Sequence, residues 1–197
     1  MSGFTKVYFL TEEKDLPFTS PEIQVLKTGK GEWGERLIKA LKTIPEDFIY
    51  YCQEDYWAEI PFHPESYELL FHTFTMDALR ITEKLENMGF SLKHIHSNIY
   101  RYNNDSAYLM NHRFSLWNKH FFLRFIAPNE SPWANEHAMT EAIRNVEHRI
   151  YHYDSKWYDA QVTRGVLRRD GHILLHKYKD ELLDFCEKHC TSVTIQF

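Results

Sequence analysis

Four apolar residues in a row, Val-Tyr-Phe-Leu at positions 7–10, and a second short run, Ile-Gln-Val-Leu at 23–26, predict two buried strands early in the chain. Pro17 and Pro21 turn the backbone between them. After Thr28-Gly29-Lys30-Gly31 the period changes: Trp33, Leu37, Leu41 and Ile44 recur at helical spacing within GEWGERLIKALKTI, and Pro45 stops the helix. Phe-Ile-Tyr-Tyr-Cys at 48–52 predicts a third strand. His63-Pro64 then opens the longest helical pattern, predicted from 64 to 87 with Gly89 as its stop. Strand-like pieces follow at 92–95, 99–102 and 107–110, with Asn-Asn-Asp at 103–105 as a turn. Residues 114–117 run into the helix start NKHFFLRFI. A loop bounded by Pro128 and Pro132 precedes a helix predicted over 133–150, and a last helix is predicted over 177–189. Strands alternating with helices predict an α/β layered domain, its central sheet mixed and mainly parallel and flanked by helices.

Composition narrows the class. With 197 residues, 43% of them hydrophobic and 16% aromatic, the chain has apolar surface enough to fold around one core and length enough for a single domain. Lys+Arg 23 against Asp+Glu 28 leaves a net charge of -5, and no stretch gathers more than a few basic residues, which argues against nucleic acid as a partner. The opening MSGFTKVYFLTEEKD has too short an apolar run for a signal-peptide core or a membrane span, so a cytoplasmic protein is expected. Cys52, Cys186 and Cys190 are odd in number and fit a reducing compartment. Cys186 and Cys190, with His189 between them, read as packing on the last helix rather than as metal ligands.

Candidate chemistry begins in FIYYCQEDYW, where Glu54 and Asp55 follow the third strand. Ligands of open α/β sheets gather outside the carboxyl ends of the strands. Hard divalent cations bridge protein carboxylates to substrate phosphates there. The same two acids could equally begin a loop and face water.

The segment W-x-x-R-L-x-x-A-L (Trp33, Arg36, Leu37, Ala40, Leu41), a strand, and then Q-E-D-Y resembles nucleotide-sugar glycosyltransferases of the GT-A fold, of the kind found in bacterial surface-polysaccharide loci and in large DNA viruses. Two further segments are similar: the strand-end opening VYFLTEE, and FSLWNKHFFLRFI followed by SPWANE, which spans 114–136. The likeness covers roughly residues 7–169. It implies one Rossmann-like domain with a nucleotide-binding half at about 1–60, an acceptor and catalytic half at about 90–176, and a C-terminal helix and tail at about 177–197.

The resemblance also assigns roles. Asp55 would hold Mn2+ or Mg2+ on the diphosphate of a nucleoside-diphosphate sugar, UDP-sugars favoured, with Glu54 beside it and His172 as a further ligand. Thr11 and Glu12 would meet the nucleobase or ribose, and Arg36 a phosphate. Glu136 would be the base that takes the proton from a hydroxyl of a glycan or glycoprotein acceptor. Against that stands a first-turn glutamate that merely complements the helix dipole. Tyr56, Trp57, Trp117 and Trp133 would wall the acceptor side, because an aromatic face packs against the C–H face of a sugar, although either Trp117 or Trp133 could equally be core. Arg164, Arg168 and Arg169 could neutralise diphosphate or form a solvated basic turn.

The chain departs from the D-x-D spacing of that family, since Gln53 precedes an adjacent acid pair. Two rivals follow from other classes. One is a different metal-dependent phosphate-transfer enzyme, weakened because the glycines at 29 and 31 do not complete G-x-x-x-x-G-K-S/T. The other is a non-catalytic carbohydrate-binding module built on the aromatic residues.

Overall fold

The computed structural model describes residues 6–16, 21–53, 56–58, 64–82, 89–155, 159–163, 166–169 and 172–173; for 56–58 and from 159 onward the description is of backbone alone. Strand β1 (Val7–Thr11) pairs in parallel with β2 (Ile23–Lys27). Helix α1 (Trp33–Thr43) follows and buries Leu37, Ala40 and Leu41, the face its sequence period marks. It approaches the loop after α3 so closely that a Cβ on Gly34 would lie 2.0 Å from the Ala127 carbonyl, so only glycine fits there. Strand β3 (Phe48–Tyr51), β4 (Tyr56–Ala58) and helix α2 (Pro64–Thr73) come next. The remaining elements are β5 (Ala78–Thr82), β6 (Leu92–His96), β7 (Ile99–Tyr102), β8 (Ser115–Asn118), α3 (Lys119–Phe125), α4 (Pro132–Arg144), β9 (Ile150–Asp154), β10 (Asp159–Thr163), β11 (Val166–Arg169) and β12 (His172–Ile173).

The main sheet has six strands in the order β3-β8-β5-β9-β7-β6. It is mixed, as expected, but not mainly parallel: β5 and β9 are its one parallel pair, and its other ladders are antiparallel. Side chains alternate between two cores. Leu79, Ile81, Leu116 and Tyr151 pack with Phe71 of α2 on one face, while Ala78, Trp117 and Ile150 pack with Leu37, Phe122, Met139 and Ile143 from α1, α3 and α4 on the other. The result is three layers, helix on sheet on helices, with β1 and β2 joining the second core through Tyr8, Leu10 and Leu26. A separate antiparallel sheet runs β12-β11-β10-β4.

Caps explain where two helices begin. Asn118 accepts hydrogen bonds from the amides of His120 (3.0 Å) and Phe121 (3.1 Å) at the start of α3. Ser131 accepts from Ala134 N (3.2 Å), with Pro132 at the first helical position of α4.

Three elements differ from the sequence pattern. The predicted helix over 64–87 ends at Thr73, and the chain turns into β5, whose five residues are all buried. The stop is a Schellman motif, in which Met76 N donates to Phe71 O and Thr75 N to His72 O. Its left-handed residue is Thr75 (φ 50) and not the usual glycine, so the sequence carries no stop signal. The helix predicted over 133–150 ends at Arg144, leaving 150–154 to form β9. Residues 107–110, predicted as a strand, join no sheet. The last predicted helix, 177–189, lies outside the described residues.

Candidate functional site

The first turn of α1 connects two groups of residues at one edge of the fold. On one side are the carboxyl ends of β1 and β2. There Thr28 N and its hydroxyl both donate to the Thr11 carbonyl (3.0 and 3.1 Å), and Gly29 N donates to Glu12 O at 2.9 Å. Arg36 reaches into this junction, donating from Nε to Thr28 Oγ1 (3.3 Å) and from Nη1 to Glu12 Oε1 (3.2 Å). Lys39 Nζ donates to the Thr28 carbonyl at 2.7 Å. Thr11, Glu12 and Arg36, expected to meet a donor nucleotide, therefore form one hydrogen-bonded cluster where parallel strands end. The Arg36–Glu12 pair is partly in water, so its net worth in the folded protein is small and its guanidinium can exchange partners at little cost.

One turn earlier on α1, the Trp33 ring meets His112 edge-on, centroids 4.7 Å apart. His112 also contacts Tyr51 at the end of β3 (5.6 Å). It belongs to the loop that enters β8, and Ser115 at the start of β8 pairs with Tyr51. Residues three apart on a helix lie about 5–6 Å apart, so Trp33 and Arg36 tie the 112 loop to the β1–β2 junction within one turn.

Glu136 sits on this edge. It is half-buried in the second turn of α4, and its Oε1 accepts from His112 N at 2.8 Å. It is therefore not a first-turn dipole residue, because α4 starts at Pro132. Burial raises its pKa; the His112 amide and then Arg80, His137 and Arg113 act in the opposite direction. A half-buried carboxylate with a raised pKa, one oxygen held by an amide, is the form a general base takes. The His112 imidazole, 2% exposed, is pushed down to about 4 by burial, with smaller opposing effects from the Pro132 carbonyl and the Asn135 side chain, so it is neutral at ordinary pH.

The Glu136 contact is one of a series. Thr140 Oγ1 accepts from Met110 N (3.1 Å), and Arg144 Nη2 donates to Ser106 O (3.2 Å). Residues 136, 140 and 144 form one stripe of α4, and they bind the 106–112 segment at His112, Met110 and Ser106 in turn. Residues 107–110 form turns and bends, not a strand, and the α4 side chains bond to polar backbone groups of the 106–112 segment that no ladder partner takes.

The tryptophans separate. Trp117 is 0% exposed, stacked on Phe122 at 4.9 Å, and so is core with no face for a sugar. Trp133, one helical turn before Glu136, is 74% exposed. Tyr56 and Trp57 lie on β4, and His172 on β12. Three ladders separate those two strands, about 14 Å at ordinary strand spacing. Glu54 and Asp55 lie outside the described residues, as do Arg164 and, in its side chain, His172; Arg168 and Arg169 are placed on β11 by their backbone. Among the described residues no group of three or more His, Cys, Asp or Glu side chains could hold a metal ion.

Arg80, His112 and Arg113 belong to the site but were not expected there. Arg80 falls inside a pattern that reads as helix, and the other two fall in a loop without a motif.

No family model and no curated protein matches the sequence. Solved structures do match in fold. A197 from STIV is 12% identical over 84% of this chain and 90% of its own, with a TM-score of 0.52. UDP-glucose pyrophosphorylase is 10% identical over 71% of this chain, with a TM-score of 0.50; this chain spans only 58% of that one. Residues 1–349 of S. aureus TarS match over 70% of this chain and 42% of theirs, at 16% identity and a TM-score of 0.49. The fold is thus the GT-A-like α/β fold, shared with domains of nucleotide-sugar enzymes. No helix among the described residues is long and apolar enough to cross a membrane.

Proposed function

We propose that this protein is a glycosyltransferase that moves a hexosyl or deoxyhexosyl group from a nucleoside-diphosphate sugar to a hydroxyl of a glycan or glycoprotein. The observation that carries this reading is Glu136, held half-buried by the His112 amide on the edge where the Arg36 cluster lies. In the reaction, the acceptor oxygen attacks the anomeric carbon while its proton passes to the Glu136 carboxylate; the bond to the diphosphate breaks, and the nucleoside diphosphate leaves with the electron pair. Arg36 exchanges Glu12 for a donor phosphate, where its planar fork suits two oxygens. Thr11 and Glu12 border the nucleoside, with a UDP-sugar as the favoured donor. Trp133, exposed one turn from the base, offers its face to the acceptor sugar. Asp55 is the proposed holder of Mn2+ or Mg2+, which when bound would offset diphosphate charge. The reaction is proposed to take place in the cytoplasm.

Nucleotidyl transfer is the second reading, favoured by the fold shared with UDP-glucose pyrophosphorylase. The two differ at Glu136. When a sugar phosphate attacks a nucleoside triphosphate, no hydroxyl proton has to be removed, so a base is dispensable. The test is a thermal-shift screen of UDP-, GDP- and dTDP-sugars with and without Mn2+, followed by nucleotide release from the stabilising donor. Glu136→Gln should keep the donor shift and lower acceptor-dependent turnover by about 100-fold or more. Undiminished turnover removes Glu136 from the mechanism; pyrophosphate as the product would favour the second reading.

A further inference from the structure

Arg80 occupies the central strand, paired with Ser115 on one side and His152 on the other, and is 2% exposed. Its guanidinium lies over the Tyr102 ring at 4.6 Å and the Phe90 ring at 5.9 Å. Nη1 donates to Tyr102 Oη at 2.9 Å and Nη2 to the Tyr108 carbonyl, while Nε has no partner among the described residues. All of these partners are uncharged. No ion pair among the described residues includes Arg80. An arginine cannot shed its charge, and a cation buried without compensation is strongly unfavourable.

Arg80 and Glu136 both bond to the 106–112 segment. Arg80 grips that segment from the sheet side at Tyr108, while Glu136 and Thr140 grip it from the helix side at His112 and Met110. Tyr108 has φ 50, a left-handed conformation that a bulky residue keeps only when its surroundings hold it there. Its carbonyl bond to Arg80 is such a hold.

We infer that Arg80 is a positioning residue for Glu136: it fixes the backbone that carries Glu136's amide partner, and it faces the carboxylate with a permanent buried positive charge. The kinetic part of this inference rests on Glu136 being the base; the electrostatic part does not. The groups acting on Glu136 are Arg80 from β5, the His112 amide and Arg113 from the loop, and His137 from α4. Of these, Arg80 is the buried permanent charge.

The test titrates the Glu136 carboxyl carbon by NMR without substrate, assigned by its loss in Glu136→Gln. Arg80→Met should move the Glu136 midpoint upward, and Arg80→Lys, which keeps the charge, should restore much of the shift. An unchanged midpoint in folded Arg80→Met overturns the inference. Should Arg80→Met fail to fold, the wild-type protein decides: the Arg80 Nε resonance should titrate with the Glu136 midpoint, and that inflection should vanish in Glu136→Gln. A flat Arg80 Nε titration overturns the inference. In turnover, the acid limb of the pH profile should follow the same order, with the donor KM unchanged in Arg80→Lys. A failed glycosyltransferase reading would abolish the kinetic readout and leave both titrations intact.

Discussion

A carboxylate half withdrawn from water ionises against resistance, and Glu136 carries that property into the stability of the whole chain. Its folded pKa is raised above the unfolded value, so the folded state binds the proton more tightly. The contribution of this group to stability is therefore fully present below the unfolded pKa and is lost as pH rises through the folded one. Glu136→Gln does not titrate. Urea unfolding at a series of values from about pH 4 to about pH 7 should show the variant gaining on the wild type as pH rises. The opposite trend would mean that the His112 amide, Arg80, His137 and Arg113 together outweigh burial. Sequence alone pointed to Glu136 through a resemblance, while the amide that holds it was invisible, because nothing in N-H-R-F marks His112 N as a donor to a helix residue 24 positions further along the chain.

At the level of elements, two features decide how the site is built. The first is the end of α2 at Thr75, a β-branched residue in a left-handed conformation. Left-handed geometry costs a residue with a Cβ about 1–2 kcal/mol, so Thr75→Gly should stabilise the protein by about 1 kcal/mol in chemical denaturation, and a loss of stability would show that the Thr75 side chain is needed there. The second is the stripe of α4 that binds the 106–112 segment. Thr140→Val keeps the shape but leaves the buried Met110 amide without its acceptor, which should cost about 1–3 kcal/mol and speed hydrogen exchange at Met110 N; unchanged exchange would exclude the bond. These features also explain which elements the sequence showed. Strands β1, β2, β3, β6 and β7 and helix α1 lie close to their apolar runs and periods. Strand β5 did not show, because a strand buried on both faces has no alternation, and Ala-Leu-Arg-Ile-Thr continues a helical pattern whose stop is a threonine.

In the whole molecule, the parts of the candidate site come from distant stretches of chain. Thr11, Glu12 and Arg36 were legible as a group because strand ends and the first turn of the next helix are local in sequence. Arg80, His112 and Glu136 were not, because they come from a strand, a loop and a helix that meet at the 106–112 segment. The β5–β9 pairing at the middle of the sheet joins Ala78 to Ile150, and Arg80 stands within it, opposite His152. Contacts between residues so far apart form late, since closing the intervening loop costs entropy before the pairing repays it. On the ribosome, then, β1, β2 and α1 can come together while the rest of the chain is still being made, whereas Arg80 stays without its native surroundings until β9 has emerged. The Thr11–Glu12–Arg36 cluster and the burial of Arg80 are separated in time as well as in sequence, and a chain stalled before Ile150 would carry the first while Arg80 still lacked its β9 neighbour.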